Sequence, residues 1–245
     1  MQKIEEIKIR IYKSTENQDA CRRFSDGHSG VLKSYNIKKV TSANTAWHHD
    51  PDVYLIMIES KSGEEVYGGA RFHLKNNHHK LPIEEAIGEI DPSIFKLTAG
   101  NPEIKTAEMC GMWNKKGMSG KGLSTLLMRA GVAKSTIFIS EKHKIDTVFA
   151  FCAPWTVQLC ENIGFRLERS VGNQGTFCYP TPELIAAVYS IHDIETLRKA
   201  TQKERKGIFD LRKNPIQKKT EDGPKGSIEV EYDLLMNHET NDCII

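Results

Sequence analysis

Residues 115–124 read Lys115-Lys116-Gly117-Met118-Ser119-Gly120-Lys121-Gly122-Leu123-Ser124. They separate a strand-like run, Thr106 to Asn114, from a long helical pattern that begins at Gly122. Small residues let consecutive backbone N–H groups turn inward, the start of a helix adds its positive dipole end, and the lysines add charge, so an anionic group is the natural ligand. Two phosphate loops are excluded by single residues. The mononucleotide loop needs Lys and then Ser or Thr after its second glycine, where Leu123 follows Gly122. The dinucleotide loop needs a third glycine where this chain has Thr125.

Outward from the loop, Leu123, Leu126, Leu127, Ala130, Ala133 and Ile137 recur at helical spacing, as on an amphipathic helix packed on a sheet. Asp146 to Cys152 reads as a buried strand, followed by a short helix, Trp155 to Asn162, that ends at Gly164, a natural left-handed cap before Phe165 and a new strand. This series resembles the GNAT acyltransferase superfamily, whose loop runs Gln or Arg, two residues, Gly, any residue, then Gly or Ala. Gly120-Lys121-Gly122 matches its second half, while Gly117 stands where the family has Gln or Arg, a charge that Lys116 or Lys121 would supply instead. The resemblance covers Val53 to Tyr189. It implies a mixed α/β (α+β) fold with a central, mostly antiparallel sheet, a splayed parallel pair and flanking helices. It also implies acetyl-CoA or another acyl-CoA as donor and a small-molecule primary amine as acceptor. Lys116, Gly117, Met118, Ser119, Gly120, Lys121, Gly122 and Leu123 would hold the pyrophosphate, and the backbone of Met112, Trp113 and Asn114 would hold the pantetheine arm and polarise the thioester carbonyl.

Composition agrees with a soluble enzyme. At 245 residues and 39% hydrophobic, the chain can bury one good core and falls short of two full-sized domains. We read an acyltransferase domain over 1–190 and an extension over 191–245. A net charge of +2, with no interleaving of basic and aromatic residues, argues against a nucleic-acid surface. The 6 cysteines have no CxxC spacing, and neither a secretory segment nor a membrane span is evident, so they read as reduced thiols in a cytoplasmic protein. His48-His49 and His78-His79 lack partners at zinc spacing and read as exposed, so no metal is expected. Trp47, Trp113 and Trp155 read as core.

Lys3 to Tyr12 alternates isoleucines with charged residues, as an outer strand would. Glu16 to Tyr35, interrupted by Gly27 and Gly30, reads as two short helices or a helix and a mobile segment; in the family this region helps form the acceptor pocket. Asp52 to Glu59 suits a central strand, joined through a turn at Lys61 to Glu64 to Val66 through Leu74. On that second strand Arg71 and His73 share a face, which places a guanidinium beside an imidazole and makes Arg71 a substrate-binding candidate. Asn76 to Ile104 is long and contains a helix start at Pro82. The order Gly69-Ala70-Arg71-Phe72, inserted helix, then a strand opening with Glu108 resembles the acyl-homoserine-lactone and N-acyl amino acid synthases, a branch of the same fold. That branch implies longer acyl chains and acyl carrier protein as an alternative donor. This chain has Gly111 where those enzymes carry an Arg, and represents their acidic cluster by Asp50 and Asp52.

The chemistry implied is direct attack of an amine on a thioester, which requires a base. Glu108 is the candidate and His73 the alternative. Strict alternation would place Glu108, Cys110 and Met112 on one face, opposite Met109, Gly111 and Trp113. The family protonates the leaving thiolate with a Tyr at the position held here by Cys160, a thiol that either donates a proton or is a small buried hydrophobe; Tyr179 or solvent is the other source. Beyond Tyr189, Ile194 to Leu211 is helical in character, Lys213 to Gly226 reads as a polar linker, and Ser227 to Met236 as a strand that pairs with a sheet edge here or in a second subunit, which leaves a homodimer open. Asn237 to Ile245 reads as frayed. Three functions fit these features: acyl, foremost acetyl, transfer to a small amine; long-chain acyl transfer to an amino acid; and non-catalytic acyl-CoA binding.

Overall fold

The computed structural model describes residues 6–34, 44–99, 104–118, 120–137 and 144–235. Ser119 and the Asn237 to Ile245 tail therefore lie outside the described residues. Among the described residues ten strands form a single mixed sheet. In chain order they are β1 (Glu6–Lys13), β2 (Val53–Ser60), β3 (Val66–Leu74), β4 (Ile104–Asn114), β5 (Lys144–Cys152), β6 (Arg166–Leu167), β7 (Thr176–Cys178), β8 (Ile185–Ile191), β9 (Ile216–Gly223) and β10 (Gly226–Asp233). Their spatial order is β6-β8-β5-β4-β3-β2-β1-β10-β9, with β7 also paired to β8. Most neighbours run antiparallel; β4–β5 and β1–β10 are parallel.

Helices cover both faces. On one face α4 (Leu123–Ile137), α5 (Val157–Ile163) and α6 (Gln202–Lys213) bury Leu126, Leu127, Ile163 and Ile208 with Ile7, Ile9, Ile56, Ala70 and Phe72 of the strands. On the other, α1 (Gln18–Ser34) packs Ala20, Cys21 and Phe24 against Leu55, Met57 and Trp113. There α2 (Pro82–Ile87) and α3 (Ser93–Thr98) add Ile83, Ile87 and Ile94 over Phe149 and Val188. Among the described residues no helix is long and apolar enough to cross a membrane.

Four expectations change. First, residues 18–34 form one continuous helix, not two. Gly27 lies inside it because α1 rests directly on the Trp113 indole: a methyl group on Gly27 would sit 2.0 Å from Trp113 Cη2. Glycine marks close approach here, not a break. Second, β1 is not an outer strand, since β10 lies beside it in parallel, Ile7 opposite Val230 and Ile9 opposite Tyr232. Third, Ile216–Gly223 in the expected linker is strand β9, paired with β10 along its whole length. Its alternating burial leaves Lys218 and Thr220 outward while Lys219 turns to Asp210 of α6 and to Glu221, so the strand is hidden behind polar composition. Fourth, Trp155 is 69% exposed rather than core.

A buried ion cluster fastens the C-terminal elements to α4. Arg129 Nε donates to Glu204 Oε2 of α6 at 2.5 Å, and Nη1 to Glu221 Oε2 of β9 at 2.7 Å. The Tyr232 hydroxyl of β10 donates to Glu221 Oε1 at 2.9 Å. One guanidinium thus answers two carboxylates taken from water together, the arrangement that keeps buried charge tolerable.

The approach of α1 to β4 is testable. Gly27→Ala should lower the unfolding free energy by about 2 kcal/mol through overpacking. Urea denaturation checks this, and combining it with Trp113→Leu should give a loss smaller than the sum of the two single losses.

Candidate active site

The site begins where β4 and β5 part. Their parallel ladder runs from Ile104 opposite Lys144 to Glu108 opposite Phe149 and stops there. Each strand continues, β4 to Asn114 and β5 to Cys152. A cavity of about 220 Å³ occupies the gap, lined by Glu108 to Met112 on the β4 side and Ala150 to Cys152 on the β5 side. His28 of α1 and Pro82 of α2 reach it from one face, Met128 of α4 and Cys160 of α5 from the other, and Trp155, Tyr179 and Leu184 also line it.

On its other edge β4 carries one residue more than β3. Arg71 lies opposite Cys110 while Gly69 lies opposite Trp113, so two steps on β3 match three on β4. Gly111 takes φ +57° in this bulge, a left-handed value that β-branched or bulky residues adopt only under strain. The bulge corrects the strict alternation. Met112 packs with the α4 face and Trp113 joins the α1 face, the side that Arg71, paired opposite Cys110, also occupies.

Arg71 is fully buried on β3. Its guanidinium carbon stands 4.6 Å from the Trp47 ring centroid, and a methyl group on Gly111 would lie 3.1 Å from its Nε. Stacking on an aromatic face is a favourable setting for a desolvated guanidinium. A second, smaller cavity of about 40 Å³ adjoins it, lined by Trp47, Asp50, Arg71, His73, Lys80 and Glu85 among others. His73 faces Glu108 across the β3–β4 ladder. Its Nε2 is buried and has no hydrogen-bond partner among the described residues. Burial and the Arg71 charge hold this imidazole well below its ordinary value, so it stays neutral.

Glu108 is 1% exposed, and its Oε2 accepts the Ile83 backbone N–H at 2.8 Å. Burial raises its carboxyl to about 8, with the Ile83 amide and Arg71 pulling the other way. The family resemblance makes Glu108 a candidate but does not give its cover. That cover is α2, whose start is fixed by Glu84 accepting from the Leu81 amide at 2.8 Å and from Lys75 Nζ at 2.5 Å. Cys160 is buried with its Sγ 3.2 Å from Cys152 Sγ. The neighbouring thiol and burial keep Cys152 well above the ordinary thiol value.

Beyond β4 the loop is built as two successive turns: Met118 N–H donates to Lys115 O at 3.0 Å and Lys121 N–H to Met118 O at 3.2 Å. Gly117, Gly120 and Gly122 all take positive φ. Met118 is buried as an anchor, while Lys116 is exposed and Lys121 partly so. Gly122 O receives the amides of Thr125 and Leu126, and helix geometry leaves the Leu123 and Ser124 amides without an intrahelical acceptor. Asn114 Nδ2 donates to Ser124 Oγ at 2.7 Å and ties the end of β4 to the first turn of α4. The predicted residues therefore fall into three places: Glu108, Met112 and Cys160 on the large cavity, Arg71 and His73 on the small one, and the loop residues beyond β4; Trp113, on β4 itself, is core, and Asn114 ends the strand. Sequence reasoning missed His28 and Cys152, both on the cavity wall; neither carries a motif, and only the packing of α1 and the parting of β5 bring them there.

This architecture is the GNAT fold. FeeM, an N-acyl amino acid synthase from uncultured soil microbes, superposes with a TM-score of 0.55 at 16% identity, covering 81% of this chain and 97% of FeeM. Escherichia coli ElaA gives 0.51 at 11% identity, covering 75% and 98%. BjaI, a CoA-dependent acyl-homoserine lactone synthase, in its complex with SAM and isopentyl-CoA gives 0.50 at 12%, covering 84% and 89%. No protein-family model and no curated protein sequence matches the chain.

The raised carboxyl has a consequence for stability. In the folded state Glu108 keeps its proton up to about pH 8, whereas in the unfolded chain it ionises near pH 4. The stability tied to the protonated form is thus complete at acid pH and lost as pH rises through that window. Glu108→Gln, which cannot ionise, should match the wild type near pH 4 and exceed it by on the order of 5 kcal/mol at pH 9. Chemical denaturation across pH measures the difference.

Proposed function

We propose that the protein is an N-acyltransferase that moves an acyl group from an acyl-CoA to a primary amine of a small molecule by direct attack. The observation that carries this reading is the parting of β4 and β5 around a cavity with the buried Glu108 on its wall. A parted strand exposes backbone amides to a pantetheine arm, and the same strand leads into a glycine loop at the start of α4, the place for a diphosphate. The solved structures that share the fold support the reading, among them an N-acyl amino acid synthase and a CoA-dependent acyl-homoserine lactone synthase.

Glu108 is the base rather than His73. It lines the large cavity, and its Oε1 accepts no hydrogen bond among the described residues, whereas His73 lies on the small cavity. Glu108 takes a proton from the ammonium form of the acceptor, the amine nitrogen bonds to the thioester carbon, the carbon–sulfur bond breaks to release the CoA thiolate, and the second proton that the nitrogen sheds as it becomes an amide passes to solvent. A carboxyl raised to about 8 is matched to an ordinary thiol near 8.5. The proton it has taken can therefore return to the departing sulfur, which makes a separate acid at Cys160 dispensable.

A second reading, transfer of a longer acyl chain to an amino acid, is favoured by the lining of the cavity. Met109, Met112, Met128, Phe151, Leu184 and Ala186 give it more apolar wall than an acetyl group needs.

Release of free CoA, followed with a thiol reagent, from acetyl- to dodecanoyl-CoA against free amino acids and simple primary amines tests both. Turnover should appear with at least one amine and rise with pH toward about pH 8. Glu108→Gln should lower kcat at least about 100-fold while calorimetric CoA binding persists. Undiminished turnover in that variant removes Glu108 as base. Binding of acyl-CoA without turnover on any amine moves the protein to a non-catalytic role, and the preferred chain length decides between the two transfer reactions.

A further inference from the structure

The extension beyond β8 returns to the glycine loop. The turn between β9 and β10, Gly223-Pro224-Lys225-Gly226, lies against residues 120–122 almost backbone to backbone. A methyl group on Gly122 would lie 3.5 Å from Gly223 Cα and 3.6 Å from Pro224 Cδ. One on Gly223 would lie 2.6 Å from the Lys121 carbonyl oxygen, so a side chain there would drive the turn off the loop. Over Gly120 stands Lys225: a methyl group on that glycine would be 2.7 Å from its Cε and 3.1 Å from its Nζ. Between loop and hairpin lies a cavity of about 130 Å³, lined by Lys121, Thr125, Lys203, Asp222, Gly223 and Pro224 among others. The other two carboxylates on its wall, Glu204 and Glu221, are engaged by Arg129, and Asp222 accepts from Ser227 Oγ at 2.7 Å.

We propose that this C-terminal hairpin is part of the donor site, with Lys225 and Lys121 binding the nucleotide-side phosphates of coenzyme A, so that the donor is a free acyl-CoA and not a thioester on a carrier protein. The inference rests on the reading of the loop as a CoA cradle. At Gly117 the loop has no side chain where related loops carry Gln or Arg. Its glycines offer backbone N–H groups but no fixed cation, and Lys225 brings one over Gly120 from a distant part of the sequence. The position of the ammonium is set by more than a surface loop. The turn is short, β10 is paired with β1 in the main sheet, and Arg129 and Tyr232 hold β9 and β10 to α4. A carrier protein would have to bring its own surface to a loop already covered on this side. Free CoA carries a diphosphate and a ribose phosphate where a carrier-bound arm carries one phosphate, and only the nucleotide has groups for the extra lysines.

Calorimetry with CoA and with 4′-phosphopantetheine, on the wild type, Lys225→Ala, Lys225→Glu and Gly120→Glu, tests this. Lys225→Ala should weaken CoA about tenfold and Lys225→Glu further, as expected for loss and then reversal of one charge-assisted phosphate contact, while 4′-phosphopantetheine changes by no more than about twofold. Lys225 is exposed, so unchanged melting temperatures should accompany both variants. CoA affinity unchanged or tightened in both, with Gly120→Glu still abolishing binding, overturns the role of the hairpin and leaves the donor reading intact. Equal wild-type affinity for CoA and 4′-phosphopantetheine also overturns it. No CoA binding by the wild type sinks the donor reading itself.

Discussion

One extra residue in β4 sets the geometry of everything around it. β4 pairs with β3 on one edge and β5 on the other, and a bulge at Gly111 lets it keep the first partner while leaving the second. A bulge bends its strand and increases the local twist, which is what opening a sheet between two parallel neighbours requires. Two side-chain choices make the bulge tenable. Gly111 accepts the positive φ, and the Arg71 guanidinium fills the space that a side chain at Gly111 would have taken. Trp113 is thereby turned to the α1 side, where Phe24 meets it edge-on and Gly27 lets the helix settle against its ring. The bulge thus links the packing of α1, the burial of Arg71 and the mouth of the cavity through consecutive residues of one strand.

The same region concentrates ionisable groups that water would otherwise hold. Glu108, Arg71 and His73 are each nearly or wholly buried within a few residues of one another on adjacent strands. A carboxylate so placed is destabilising in its charged form, and the inserted segment between β3 and β4 both creates that situation and limits it. Pro82 and Ile83 shield Glu108 from solvent, while the Ile83 amide gives Oε2 one good donor. The segment is itself held by a carboxylate: Glu84 receives Leu81, Lys75 and Thr98. The buried charges of Arg129 and its two glutamates, away from the cavity between β4 and β5, are by contrast paired with one another.

The legibility of the sequence followed the range of the interactions. The glycine loop, the α4 stripe and the Gly164 cap are local signals, each fixed by backbone sterics or by a period of three to four residues, and each appears within a residue or two of where the spacing placed it, whereas Glu108 lies inside β4, which begins at Ile104, and does not open the strand. What escaped depends on contacts distant in sequence. Gly27 looked like a helix break because its reason lies 86 residues away at Trp113. β9 looked like a linker because a strand with one face in water and lysines along it has the composition of one. The bulge reverses the facing of Met112 and Trp113 without leaving a mark beyond one glycine, and Trp155 sits at a cavity mouth that exists only once β5 has left β4. Lys225 reads as a loop lysine until the sheet places it over Gly120.

Under the proposed function, the departures from the related enzymes compensate one another. At the position where the resemblance implies a proton-donating Tyr stands Cys160, against Cys152 in the core. The Cys152 thiol beside it is held well above its ordinary value by that contact and by burial, and so is a poor proton donor. A carboxyl shifted to about 8 removes the need for one, because it lies close enough to a thiol to exchange a proton with the sulfur at little cost. Had Glu108 remained near its ordinary value, it would be ionised at neutral pH but too weak a base to hold the ammonium proton and far too strong an acid to retain it for the thiolate. The burial that makes Glu108 costly for folding therefore lets one residue serve both halves of the transfer, and it is α2, placed by the insertion, that supplies the burial.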